Sequence, residues 1–365
     1  MNALVITCEP NRLQSTFLSG DQVLARAETG SLAARSDTQD NLAAAIEQLF
    51  SQAAAGSTPD FIAIRSPVGA PRMGGAVPIT DAVVAEIDRW IPAAPLHLPQ
   101  VLVAVAGAAA ARPEVPLFLV SDTAFFAGLP VRERTYGLDP ALAARVGERR
   151  SGYHGLFHEA ACRFVRKALQ SPGPHRIISI CLEPKPEAAA VLNGRPVMVT
   201  GGATPIEGLP GETVCGDIDP SIVLILAEKL DCGPERINDI LTRESGLRSL
   251  VGRKVKLGDI LNHNNRAYRQ AREVFTYRLL LACGAAVAAM SGADALVFSG
   301  RYAQAARDIA PWLISRLRRA AAYGKRQPVW RLFTDPVEKI AAEMAGVAYL
   351  AWSMRGNRRE PCNQT

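Results

Sequence analysis

The sequence predicts an α/β fold of two domains with mostly parallel sheets. Short apolar runs of strand length alternate with longer stretches that have helical apolar spacing, which is typical of this fold class. The 365 residues are enough for two cores of ordinary size. The second half repeats the order of the first half, so we expect a duplicated architecture, although the residues themselves show no clear repeat.

Elements of the first half are predicted from apolar runs bounded by turn residues. The predicted strands cover residues 3–7, 15–25, 59–65 and 116–121. The predicted helices cover residues 40–54, 81–90 and 101–111. Thr80 precedes the second of these helices, and Asp122 follows the last strand, where α/β folds place site residues.

Elements of the second half follow from the same patterns. The predicted strands cover residues 176–182, 188–191, 197–200 and 295–299. The predicted helices cover residues 154–169, 219–230, 234–242, 267–291 and 337–354. Asn193-Gly194 predicts a tight hairpin turn. Asp219 before Pro220 has the residue types of an N-cap and a first helical position.

Composition argues against several classes of protein. No apolar run of about 18 residues occurs, and residues 279–290, the nearest, are too short to span a membrane. The start lacks the features of a signal peptide, and the seven cysteines contain no Cys-x-x-Cys pair, so we expect reduced thiols in the cytoplasm. The net charge of +6 lies in small clusters without a nucleic-acid motif, which favours a solvated surface over a nucleic-acid partner.

Five separated segments carry a more specific pattern, namely 94–99 (APLHLP), 121–126 (SDTAFF), 149–158 (RRSGYHGLFH), 203–209 (ATPIEGL) and 211–220 (GETVCGDIDP). The first three resemble the acetate kinase family segments APLHNP, FDTAFH and RRYGFHGTSH, in the same order. The last two together resemble the family segment TPLEGLMMGTRSGDIDP. The resemblance implies two actin-like (ribonuclease H-like) domains with a cleft between them, residues 1–120 with 341–365 and residues 121–340. It also implies a homodimer that uses ATP and Mg²⁺ to phosphorylate a short carboxylate such as acetate or propionate.

The resemblance assigns roles to individual residues. It implies that Asp122 is the catalytic aspartate, that His154 steadies the transferring group and that Arg65 meets the substrate carboxylate. The residues at the positions of the family's acyl pocket are Leu96, Tyr153, Pro205 and Pro67, the last in place of a valine. Gly300 and Gly216 match glycines on the nucleotide side. Glu338 stands one residue from the place of the family's late metal-binding glutamate.

Several family residues are replaced. Val214 stands where the family has an arginine that meets the phosphoryl group, and an apolar side chain offers no charged donors. The phosphate loop HLGNGAS corresponds to residues 181–187 (CLEPKPE), and prolines and glutamates there oppose phosphate binding. We therefore expect very low acetate kinase activity and weak nucleotide affinity.

Two other functional interpretations stay open at this stage. One is a noncatalytic relative that binds a small organic acid or a protein. The other is an enzyme with a different phosphate donor or acyl acceptor, because Lys185, Arg12 and Arg301 are new positive groups near the former phosphate contacts.

Structural interpretations also stand beside the assigned roles. Asp122 can be an ordinary strand-end aspartate, and Arg65 can form an ion pair with it. His154 and His158 fit packed helix histidines better than a metal pair, since no third ligand is evident. Residues 216–220 fit a purely structural role. The helix at 267–291 can serve the dimer or the centre of its own domain.

Overall fold

The computed structural model describes residues 1–9, 12–29, 44, 58–68, 75–91, 98–146, 150–169, 175–262, 264–320 and 328–355. The chain forms two compact units, Met1–Ala127 with Pro336–Thr365, and Gly128–Asp335. The domain limits expected from the sequence stay a prediction, because compactness alone does not show independent folding. The helix predicted at 40–54 lies outside the described residues apart from Ala44, which is helical.

The first unit contains a six-stranded mixed sheet. Its strands are β1 (Asn2–Glu9), β2 (Arg12–Ser19), β3 (Gln22–Thr29), β4 (Phe61–Ser66), β5 (Ala76–Pro78) and β6 (Leu117–Ser121). They lie in the order β3-β2-β1-β4-β6-β5, with parallel pairing only at β1–β4 and β4–β6. The prediction of mostly parallel sheets is therefore wrong here, since tight connections join consecutive strands as antiparallel neighbours.

The strand predicted at 15–25 is two strands. Gly20 adopts a left-handed backbone conformation (φ 54°) and, with Asp21, turns β2 into β3. Glycine reaches this conformation without steric cost. The continuous strand predicted across Ser19-Gly20-Asp21 is therefore wrong, because these residue types favour a turn.

The second unit contains a five-stranded sheet of similar topology. Its strands are β7 (Arg176–Cys181), β8 (Glu187–Leu192), β9 (Arg195–Val199), β10 (Ala295–Ser299) and β11 (Val329–Leu332). They lie in the order β11-β10-β7-β8-β9, so each unit has an antiparallel meander whose first strand pairs in parallel with later strands. Asn193 and Gly194 both have positive φ, which confirms the predicted hairpin turn.

The helices, in chain order, are α1 (Asp81–Trp90), α2 (Leu98–Ala111), α3 (Val131–Arg134), α4 (Pro140–Val146), α5 (Gly155–Leu169), α6 (Pro220–Leu230), α7 (Pro234–Asp239), α8 (Leu247–Val251), α9 (Leu257–Leu261), α10 (Arg269–Met290), α11 (Ala306–Ala320) and α12 (Val337–Met354). Short 3₁₀ segments cover Asp122–Gly128, Arg266–Tyr268 and Ala303–Ala305, and a short π-helical segment covers Ile240–Glu244. The predicted caps are confirmed, because the Thr80 and Asp219 side chains accept the N–H groups of Val83 and Ser221.

Each unit has its own apolar core. In the first unit, Ile62 and Ile64 of β4 pack with Val101 and Ala104 of α2. In the second unit, the inner face of α10 (Phe275, Leu279, Cys283) packs with the central strands. The segment Arg266–Met290 is also long and apolar enough to cross a membrane by length and composition alone. Its buried inner face is what a core helix of a globular domain shows.

Candidate functional site

The strand ends of the first unit bring Arg65 and Asp122 together. β4 and β6 are parallel neighbours in which Ser66 lies opposite Ser121, so the residues around their carboxyl ends share one sheet edge. Arg65 donates from Nε to Asp122 Oδ1 (3.3 Å) and from Nη2 to Oδ2 (2.5 Å). The two side chains are 11% and 4% exposed. The predicted ion pair is confirmed, whereas the roles of both residues toward a substrate stay predictions.

The other predicted site residues of the first unit are Pro67, Leu96 and Glu338. Pro67 directly follows β4 and is half-buried, and Leu96 lies outside the described residues. Glu338 is buried in the first turn of α12. No group of three or more His, Cys, Asp or Glu side chains suited to a metal occurs within the described ranges. A metal role for Glu338 stays a prediction.

His154 and His158 do not share a helix face. His154 has a left-handed backbone (φ 52°), so α5 begins at Gly155 rather than at the predicted residue 154. Its Nε2 lies 2.9 Å from the Lys185 carbonyl oxygen. His158 is fully buried inside α5, with Nδ1 2.8 Å from Ser179 Oγ and Nε2 3.2 Å from a Glu187 oxygen. A packed structural histidine is therefore confirmed for His158.

Glu187 organises the residues around His154. Its carboxylate accepts the Tyr153 N–H at 2.9 and 3.0 Å, and the Glu187 residue is only 3% exposed. The Tyr153 hydroxyl donates to the Ala203 carbonyl (2.8 Å), at the start of the loop that carries the exposed Pro205. Tyr153 and His154 are thus brought to the loop at 183–187. Their meeting with Asp122 and Arg65 stays a prediction.

Lys185 is held by backbone carbonyls. Its Nζ donates to the carbonyl oxygens of Glu207 (2.9 Å) and Leu209 (2.6 Å). Burial lowers the pKa of Lys185 to about 8, against the opposing attraction of nearby acidic groups. These groups are Glu187, Asp217, Cys215 and Glu207. The new positive charge is therefore engaged within the chain.

Glu183 binds the turn after Gly300. Its carboxylate accepts both the backbone N–H and the Nε–H of Arg301, each at 2.7 Å. Gly300 has φ 86°, and a Cβ there would lie 2.8 Å from the Leu182 carbonyl oxygen, so this close approach of two loops requires glycine. Arg301 is thus paired, and the side chain of Arg12 lies outside the described residues.

Tyr302 packs on Gly258. A Cβ at Gly258 would lie 2.9 Å from the Tyr302 ring. Burial and a hydrogen bond to Glu212 raise the pKa of the Tyr302 hydroxyl. Glu212 also accepts the Leu257 N–H at 2.8 Å, which fixes the start of α9 against this ring.

Gly216 allows a close approach between its own loop and the loop at Gly208. It has φ 76°, and a Cβ would lie 2.6 Å from the Gly208 carbonyl oxygen. Asp217 Oδ1 accepts the Gly208 N–H at 2.7 Å, which ties the same two loops together. These contacts support the structural interpretation of residues 216–220, and a nucleotide-binding role for Gly216 stays a prediction.

Comparison with known proteins identifies the fold first. A crystal structure of Porphyromonas gingivalis acetate kinase has a TM-score of 0.81 and 23% sequence identity, and the match covers 95% of this chain and 99% of that one. At 23% identity, the similarity of the two structures shows a shared fold and no more. The chain therefore has the two-domain actin-like α/β fold that the sequence predicts.

The sequence comparisons then identify the family. The acetokinase family model matches residues 6–321. An acetate kinase of Clavibacter michiganensis is 40% identical over 231 residues, 60% of this chain and 57% of that protein. One of Streptomyces griseus is 32% identical over 302 residues, 80% of this chain and 71% of that protein. The chain belongs to the acetokinase family, and it spans about 57% of the length of the Clavibacter relative.

The sequence did not reveal which groups contact the charged side chains of the loop at 183–187. Glu183, Lys185 and Glu187 stand out in the sequence only as charges where the resembling motif has small residues. In the structure each has an internal partner: Arg301 for Glu183, backbone carbonyls for Lys185, and Tyr153 for Glu187. The signal in the sequence is that acidic, basic and acidic side chains alternate within five residues. This alternation indicates that their charges are balanced within the protein.

Proposed function

We propose that this acetokinase-family protein recognises a small carboxylate and forms an acyl phosphate from ATP only at a trace rate. The observation that carries the proposal is the Glu183 carboxylate on the backbone N–H and guanidinium of Arg301. These donors lie in loops that resemble the family's phosphate and nucleotide segments. A carboxylate held there repels a nucleotide phosphate and occupies the donors that would bind it.

Two further replaced positions do not fit ATP and Mg²⁺. Tyr302 fills the space over Gly258, and Val214 offers no charged donor. Removing one preorganised charged donor typically costs about 10²–10³-fold in rate. Several such changes together support an activity far below that of an ordinary enzyme. No catalytic step through ATP is therefore derived for this chain.

A second candidate function is a carboxylate kinase with another phosphate donor. Asp122, Arg65 and His154 are retained at the positions of the family's catalytic residues. His154 contacts the backbone carbonyl of Lys185, whose Nζ donates to the carbonyls of Glu207 and Leu209. This candidate requires Lys185 to exchange its carbonyl partners for an anion. Turnover with a donor such as pyrophosphate, lost in Lys185→Met, would favour it.

Thermal unfolding with added ligand tests the proposal. A ligand present at 100 times its Kd adds about 2.7 kcal/mol to the free energy of unfolding. We expect propionate to raise Tm in a saturable manner, because recognition by Arg65 needs no phosphate loop. ATP–Mg²⁺ should leave Tm unchanged. A saturable shift with ATP–Mg²⁺ and none with propionate would contradict the proposal.

We further propose a cytoplasmic homodimer that associates through the outer face of α10. The described cysteines are free thiols, as expected in a reducing compartment. On α10, Tyr277 is 57% and Leu281 48% exposed, although the opposite face is buried. Helix α6 buries none of its residues and exposes Leu224 at 72%. Apolar surface of this extent is typical of an interaction face.

Light scattering at micromolar concentration tests the dimer. We expect twice the chain mass for the unaltered protein and a shift to the monomer for Tyr277→Glu, because a charge in the centre of an apolar interface is left unpaired. Leu142→Glu is the matched control, since Leu142 is 53% exposed on α4. A monomeric unaltered protein, or a Tyr277→Glu protein that stays dimeric, would contradict the proposal.

A further inference from the structure

A cavity of about 520 Å³ lies in the second unit, beside α10. Its walls come from the start of α3, the end of β9, the loop at 207–209 and one side of α10. His154, Tyr153, Pro205 and Gly300 are not among the residues that line it. The volume falls in the range of small-molecule sites, about 300–1,000 Å³. The cavity therefore does not include these candidate residues, although its 207–209 loop also holds Lys185.

The acidic side chains of the cavity are already engaged. Glu133 accepts the Val199 N–H (3.1 Å), and Asp217 accepts the Gly208 N–H (2.7 Å). Glu207 accepts from the Tyr136 hydroxyl (2.5 Å) and forms an ion pair with Arg150. Burial and this hydrogen bond raise the pKa of Tyr136 to about 12, so Tyr136 remains a donor at neutral pH. These carboxylates thus have partners within the wall.

Two arginines of the cavity are different. Arg132 of α3 and Arg278 of α10 both line it and are exposed, and neither forms an ion pair in the described part of the chain. A guanidinium group offers a planar fork of donors that matches a carboxylate. The rest of the α10 wall is aliphatic, with Leu281, Ala282 and Ala285, and Met198 adds a flexible apolar side chain.

We propose that this cavity binds an organic anion with an aliphatic body, namely a medium-chain carboxylate, whose head group meets Arg132 and Arg278. The carboxylate pairs with these two exposed guanidinium groups, and the alkyl chain covers Met198 and Leu281. A two- or three-carbon acid is too small to fill the volume. The inference uses neither Arg65 nor the loop at 183–187, but Leu281 also lies on the α10 face proposed for the dimer, so the anion and the partner subunit share this face.

Isothermal titration calorimetry with octanoate on the full chain tests this inference. We expect saturable binding at one site per chain. The double variant Arg132→Gln/Arg278→Gln should weaken the Kd by roughly tenfold or more, or about 1.4 kcal/mol. Octan-1-ol, which has the same chain without the charge, should bind the unaltered protein at least about tenfold more weakly.

Arg269→Gln is the matched control. Arg269 is an exposed arginine on the same helix, does not line the cavity, and should leave octanoate binding unchanged. Arg65→Met should also leave it unchanged, which separates this cavity from the carboxylate site of the proposed function. Equal binding by the double variant and the unaltered protein, equal binding of octanol, or no saturable binding of octanoate would overturn the inference.

Discussion

Replacing Arg65 by methionine should destabilise the protein by about 3–5 kcal/mol, the cost of leaving a buried charge without its partner. Asp122 is 3% exposed, and its carboxylate receives two hydrogen bonds from Arg65. Methionine fills similar volume but donates nothing, so Asp122 is left charged and underpaired. Urea unfolding measures the loss. The same variant should abolish the Tm shift with propionate.

Two further variants test whether the loss of stability comes from the broken Arg65–Asp122 ion pair. Arg236→Met removes a surface ion pair with Glu244, whose partners are 51% and 48% exposed, and should change stability little. The double variant Arg65→Met/Asp122→Leu should be less destabilised than the sum of the single changes, because it leaves no unpaired charge. Additive losses in this cycle, or an Arg65→Met protein as stable as the unaltered one, would contradict the assigned ion pair.

Replacing Glu187 by serine, the residue at this place in the resembling phosphate loop, should destabilise the protein by about 1–3 kcal/mol per buried group left without a partner. The Tyr153 N–H and His158 Nε2 both face the Glu187 carboxylate. Gly201 makes room for it, because a Cβ there would collide with a carboxylate oxygen. Serine is too short to reach these groups and leaves a void. Denaturant unfolding measures the effect.

Glu187→Gln is the matched control for this second prediction. Glutamine keeps an acceptor oxygen of the same reach and should retain most of the stability lost with serine. The serine variant should also gain no phosphate affinity, because Glu183 still occupies the Arg301 donors. A stable Glu187→Ser protein that binds ATP–Mg²⁺ would show that the loop is not adapted to its own acidic residues.

Local chemistry made much of the fold predictable. The Asn193-Gly194 turn and the caps at Thr80 and Asp219 depend on residues close together in the chain, and the structure contains all of them. Asp122 was placed at a strand end by the apolar run before it. The turn at Gly20 interrupts the strand predicted over residues 15–25, although Ser19-Gly20-Asp21 are residue types typical of a turn.

The contacts of the candidate site were less predictable because they join distant parts of the chain. Glu183 and Arg301 are separated by 118 residues and meet only because β7 and β10 are parallel neighbours. The packing of Tyr302 on Gly258 likewise depends on how α9 meets the turn after β10. The sequence alone indicated that these positions differ from the resembling family. In the structure, Glu183 contacts Arg301, and Tyr302 packs on Gly258.

The most direct test of the account is the rate of acyl hydroxamate formation from acetate or propionate with ATP–Mg²⁺, with Asp122→Asn as the blank. We expect a rate close to that of the blank, together with a saturable Tm shift with propionate that is lost in Arg65→Met. A turnover above about 1 s⁻¹, the lower end of ordinary enzyme rates, would contradict it and identify a working carboxylate kinase.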